Sequence, residues 1–276
     1  MTYCVAMRLD DGMVFLSDSR TNAGLDQIST FRKMAVFEQP GERVLVLLSA
    51  GNLAISQSVK ALLATERIES DAGRTISIWT AESMFDCARI VGSALRKVHG
   101  WDGEALRDQG VEFNVSLILG GQVRGEEMRL FSIYSAGNFI EAGVDGVCYF
   151  QIGESKYGKP VIDRIITPST PLDEATKCAL VSMDSTIKSN LSVGLPLDLL
   201  VYAEGSLVAD KLLTIDESNA YFRMIRTAWG QRVRQMFDAL PSPTWEGGAP
   251  EHDLAGSACA KPRAMDPLRR VTGPGR

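Results

Sequence analysis

The run RVLVLLS at residues 43–49 sets the terms for the fold, because its apolar residues do not alternate with polar ones. A strand of this kind is buried on both faces, so the sheet that holds it has a packed layer on either side. A second pattern lies upstream: residues 2–9 alternate, Asp10-Asp11-Gly12 supplies a turn, and MVFLS at 13–17 is apolar again, which reads as a β-hairpin. Between them, 21–32 is polar with Gly24 and reads as a loop or short ribbon. Lys33 then opens the apolar run KMAVFE, and Gln39-Pro40-Gly41-Glu42 turns into the long strand.

Helical spacing follows. Ile55, Val59, Leu62 and Leu63 share one face over 53–68, and Met84, Ala88, Val91 and Leu95 share one over 80–98. Thr80 is expected to cap the second helix, with Glu82 in its first turn. Strands are expected again at 111–119, with Gly120-Gly121 as a hairpin turn, then at 127–134, about 138–142 and 146–152. A helix is expected over 171–190, a strand at 199–203 and a long charged helix over 216–239. Helices segregated from mainly antiparallel strands indicate an α+β protein. Two sheets face to face, with a helix layer on each outer side, would bury both the two-sided strands and the amphipathic helices, which makes a four-layer αββα sandwich. From about Pro241 the composition shifts to Pro, Gly, Ser and scattered charge, so one domain is expected over 1–240 and a disordered tail over 241–276.

Composition excludes several function classes. A net charge of −5 gives no basic stripe for nucleic acid. Five cysteines without a C-x-x-C pair, and only two histidines, give neither a disulfide framework nor a zinc site, so no metal or cofactor is expected. The start lacks the pattern of a signal peptide, and no apolar run approaches the roughly 18 residues of a membrane helix, so the expectation is a cytoplasmic protein without membrane contact.

The chemical signal lies in Met1-Thr2 read with Asp18 and Lys33. Thr2 is small enough for an aminopeptidase to remove Met1, which leaves a hydroxyl and a free α-amine on one residue. A threonine hydroxyl is hardly ever deprotonated, so it needs a base within reach, and a terminal amine is one such base. The α-amino pKa in peptides, roughly 7.7–8.0, lies near working pH, and a neighbouring cation lowers it. Lys33 is the candidate cation and Asp18 the carboxylate that holds it. By themselves these are an ordinary second residue, a strand-end turn residue and a solvated lysine; their order, with a Gly-containing loop after the next strand, makes them a set. Cys4 alternates onto the same side of its strand as Thr2 and reads as a packing residue, because a cysteine nucleophile here would have to be terminal.

Taken together, Thr2, the segment FLSDSR with Asp18 at a strand end, Lys33 at the start of a later strand, and a strand running into SAGN at 49–52 resemble the proteasome β-subunit pattern. With the TYCVAMRLDDGMVFLSDSR opening and NLSVGLPLDLLVY, the chain looks most like the bacterial proteasome-related family Anbu, the peptidase HslV being a more distant relative. The resemblance covers roughly residues 2–240. It implies the N-terminal nucleophile hydrolase fold, threonine-type cleavage of amide bonds in a peptide or protein substrate, and homo-oligomerisation into a ring or split ring. Thr2 then matches the nucleophile, Asp18 and Lys33 its charged pair, and Ala50 or Gly51 the backbone oxyanion donor. Ser135, in YSAGN, matches a hydroxyl beside the terminal amine. In place of the family's D-x-x-S-G the chain has Asn190-Leu191-Ser192-Val193-Gly194, with Asn190 at the aspartate place and Val193 at the serine place. Two alternatives therefore stand beside the peptidase: a scaffold or binding subunit with little turnover, and a hydrolase of non-peptide amides. The sequence has no Walker-type nucleotide motif, so any use of ATP would belong to a separate partner.

Overall fold

The computed structural model describes residues 1–22, 28–65, 68–69, 75–143 and 146–243. Residues 1–229 form one compact unit. Its N-terminal hairpin pairs β1 (Tyr3–Leu9) with β2 (Gly12–Asp18), Val5 facing Leu16. With β12 (Tyr149–Gly153), β13 (Leu197–Ala203) and β14 (Lys211–Ile215) they build a five-stranded sheet in the order β12-β1-β2-β13-β14. The second sheet gathers β5 (Met34–Gln39), β6 (Arg43–Gly51), β9 (Val115–Val123), β10 (Arg129–Ile133) and β11 (Phe139–Glu141) in the order β11-β10-β9-β6-β5. Every pairing in both sheets is antiparallel. Two short ribbons complete the strands, β3 (Arg20–Asn22) with β4 (Ile28–Thr30) and β7 (Ile68–Glu69) with β8 (Thr75–Ile76).

The layers explain the two-sided apolar strand. Leu45 and Leu47 of β6 face a helix layer made by α1 (Leu53–Thr65) and α2 (Met84–Asp108), whose Val59, Val91 and Leu95 complete that core. The alternate residues Val44, Val46 and Leu48 face the other sheet, where they meet Cys4, Ala6 and Phe15. On the outer face of the first sheet, Tyr3, Val5 and Leu16 pack against α3 (Ser155–Ile165), α4 (Leu172–Ser189) and the start of α5 (Ala220–Asp238) through Ile162, Ala179 and Phe222. The result is the expected four-layer αββα sandwich.

Several local expectations are corrected. Gly120 and Gly121 lie inside β9 rather than in a turn: a Cβ on Gly120 would stand 2.7 Å from the Phe15 ring, and one on Gly121, whose φ is +147°, would collide with the Val44 carbonyl. Thr80 does not cap α2. Its hydroxyl receives the Ser77 N–H, and Ser83 caps the helix by accepting the Asp86 N–H at 3.0 Å. The helix also continues ten residues past the expected end. Helix α3 and strand β14 had no counterpart in the sequence reading. Of the expected tail, residues 244–276 lie outside the described residues.

Candidate functional site

The hairpin fixes the site, because β1 begins one residue after Thr2 and β2 ends on Asp18. Asp18 is wholly buried, and its two oxygens serve different neighbours. Oδ1 accepts the Tyr3 N–H at 3.0 Å and Oδ2 accepts Lys33 Nζ at 2.7 Å. Lys33, just ahead of β5, also donates to the Arg20 carbonyl at 2.6 Å. These two contacts use two of the three donors of an ammonium, and Lys33 also lines a cleft. Burial pushes the Asp18 carboxyl up from the usual carboxylate range, against the opposing pull of Lys33 and of the Tyr3 and Gly194 backbones.

That cleft holds about 490 Å³ and is bordered by Thr2, Lys33, Ser49, Ala50 and Gly51 among others. Thr2, Lys33 and the loop predicted to hold an oxyanion thus meet in one space. Ser49 ties the loop to the lysine segment, its N–H and hydroxyl both donating to the Lys33 carbonyl at 3.0 and 3.1 Å. Gly51 has a φ of +103°, and a Cβ there would collide with the Asn114 carbonyl. Only glycine allows β6 to leave the sheet at this point. Cys4 is buried behind the site, its thiol pushed up by burial and then by Asp18. It is one of four described cysteines, all free thiols.

Ser135 is not brought to the cleft. It lies in the turn between β10 and β11, where the Gly137 carbonyl accepts Arg96 Nη1 of α2 at 3.2 Å and Gly137 packs on Gly92. The segment that does reach Thr2 is Gly153-Glu154 at the end of β12. The Glu154 N–H donates to the Thr2 carbonyl at 2.7 Å, and both residues line the cleft. Gly153, at φ +81°, has no room for a Cβ against that same carbonyl. Sequence reading missed this pair because β1 and β12 stand some 150 residues apart; the one local signal was a glycine directly after an apolar run. Asn190 closes α4, where its side-chain oxygen accepts the Ser192 N–H at 2.9 Å, and Val193 is buried in the adjoining core. Among the described residues, no group of three His, Cys, Asp or Glu could hold a metal. No described helix is long and apolar enough to cross a membrane.

Two antiparallel sheets packed between helix layers, with the first strand opening onto a cleft above a buried acid–lysine pair, form the fold of the N-terminal nucleophile hydrolases in its proteasome-like version. Solved structures narrow this further. Anbu (ancestral beta-subunit) from Yersinia bercovieri is 51% identical, with 88% of this chain and 99% of that chain covered and a TM-score of 0.79. Anbu from Pseudomonas aeruginosa, solved as a helical assembly, is 48% identical over 89% of this chain and 100% of that one, TM-score 0.80. Anbu from Hyphomicrobium sp. strain MC1 is 43% identical over 87% and 98%, TM-score 0.78. The chain belongs to the Anbu family. No protein-family model and no curated protein matches it.

Proposed function

We propose that this chain is a threonine-type N-terminal nucleophile hydrolase that cleaves amide bonds in peptides once Met1 has been removed. The observation that carries the reading is the Lys33 ammonium, held by Asp18 and the Arg20 carbonyl while it lines the same cleft as Thr2. Thr2 Oγ1 attacks the carbonyl carbon, the freed α-amine takes the hydroxyl proton, and the same proton passes to the departing amine nitrogen as the C–N bond breaks. Water, deprotonated by that α-amine, then attacks the ester carbonyl carbon, and the proton passes to Thr2 Oγ1 as its bond to the acyl carbon breaks and the acid leaves. Lys33 lowers the proton affinity of the α-amine by its charge. Gly51 is favoured over Ala50 as oxyanion donor: the Ser49 N–H points to β5, and alternation along the strand turns the Gly51 N–H to the same side, beyond the end of β5. One such donor contributes about 3–4 kcal/mol in comparable acyl transfers.

Mass spectrometry of the purified protein tests the first step and is expected to show Met1 absent. A peptide epoxyketone is then expected to modify Thr2 and to leave a Thr2→Ala variant untouched. Retained Met1, which blocks the amine, would falsify the mechanism. The helical assembly of the Pseudomonas aeruginosa relative supports self-association here too; sedimentation velocity on the same sample should then show species well above the 30.0 kDa of one chain. A second reading, an assembly scaffold with little turnover, is favoured by Asn190 and Val193, which offer the cleft neither a carboxylate nor a hydroxyl. It predicts that Thr2→Ala leaves the cellular phenotype intact.

A further inference from the structure

Among the described residues that line the cleft, Lys33 and Glu154 carry ionisable side chains. Lys33 is engaged by Asp18 and the Arg20 carbonyl, but the chemistry above gives Glu154 no task. Glu154 occupies the N-cap position of α3, yet its side chain makes no capping bond. That side chain is 13% exposed, and its ion partner Lys156 Nζ stands 3.8 Å away on a side chain that is 70% exposed. So long a pair with one member in solvent is weak, and a carboxylate has acceptor sites for more than one such partner. The backbone holds it in register with residue 2 through the Glu154 N–H on the Thr2 carbonyl and the close approach of Gly153. The rest of the lining is mostly small and polar, including Ser49, Ser56, Asn114 and Ser116, so it offers no large apolar cup.

We propose that Glu154 selects the substrate: the cleft takes peptides that carry a Lys or Arg side chain beside the scissile amide, the cation pairing with the Glu154 carboxylate. The inference rests on the hydrolase reading of the cleft. A guanidinium fork matches a carboxylate in two parallel hydrogen bonds, so arginine is preferred to lysine. Charge pairing inside a cleft is also stronger than on an open surface.

Two measurements separate this preference from the hydrolase chemistry. In the first, Met1-free protein is treated with peptide epoxyketones that differ only in the terminal side chain, Arg, Leu or Glu, and the rate of Thr2 modification is followed. The Arg probe is expected to react faster than the Leu probe by on the order of tenfold, with the Glu probe slowest. Glu154→Asp is expected to keep that order, Glu154→Gln to erase it and Glu154→Lys to reverse it. In the second, reduced-amide peptides with the same side chains are bound to the Thr2→Ala variant and followed by fluorescence anisotropy, which needs no nucleophile; the same order is expected. If no probe modifies Thr2 while Arg-selective binding persists and is lost in Glu154→Gln, the hydrolase reading falls and the selection by charge stands. Equal or absent binding of the Arg and Leu peptides, or equal slowing of all three probes in Glu154→Gln, overturns the selection.

Discussion

Asp18 accepts one hydrogen bond from the Tyr3 N–H beside the candidate nucleophile and another from the Lys33 ammonium, so a single carboxylate aligns the start of β1 with the cation that serves it. Its environment sets a pH dependence whose sign follows from linkage. Burial raises the folded-state pKa above the unfolded value of roughly 3.9. The native state therefore binds the proton more tightly, and this group's contribution to stability falls as pH rises from that value through the folded pKa. Lys33→Met removes the ammonium that opposes the rise, so the window widens in the same direction. Urea unfolding should show the variant least stable relative to wild type at neutral pH, by about 3 kcal/mol, and the deficit should shrink as pH is lowered and Asp18 takes up a proton. A deficit that is flat with pH, or that grows in acid, would show that Asp18 is not the group left uncompensated.

At the scale of elements, the site depends on how β12 lies against β1. Gly153→Ala places a methyl group where the Thr2 carbonyl stands, at a φ of +81°. It is expected to cost about 1–3 kcal/mol and to abolish Thr2 modification by shifting residue 2. Gly100→Ala in α2 is the contrasting case, because apart from its chain neighbours and the helix's own backbone nothing lies within 4 Å of the added Cβ. It should raise the urea midpoint, by up to about 1 kcal/mol of stability. Elements whose pattern matched their setting were legible in sequence: the hairpin, which ends on Asp18, β6 and α4, as was the apolar run behind Lys33, which pairs with Asp18. Those whose composition opposes their setting were not. Helix α3 includes Gly158 and Pro160, both poor helix formers, and it is held by packing on α4. Gly158 lies directly over the Tyr3 hydroxyl and Ser182, where a side chain would not fit. Gly100 and Gly103 likewise hid the second half of α2. Strand β14 was missed because it is an edge strand with little burial. Glu154 was illegible as a site residue for another reason: its contact with Thr2 exists only after two distant strands have paired.

For the whole molecule, the layer between the sheets decides whether the sandwich unfolds as one body. Each sheet has its own helix layer and its own apolar core on the outer side, and the cluster around Phe15, Val46, Leu48 and Leu130 joins the two halves. Phe15 is central there, fully buried, with its ring against Gly120 so closely that no side chain fits between. Phe15→Ala opens a cavity at that seam and should cost about 3–5 kcal/mol. Native tryptophans report on the two halves separately. Trp79 packs edge-on against Phe37 on the side of α1 and α2, and Trp229 packs against the core beneath α3 and α4. In single-tryptophan variants that keep one or the other, the urea transitions are expected to coincide, because each half buries one face of its sheet only against the other half. In the Phe15→Ala background both midpoints should fall together. Should the Trp79 and Trp229 transitions separate instead, the outer cores would be able to stand alone, and the seam would join two folding units rather than complete one.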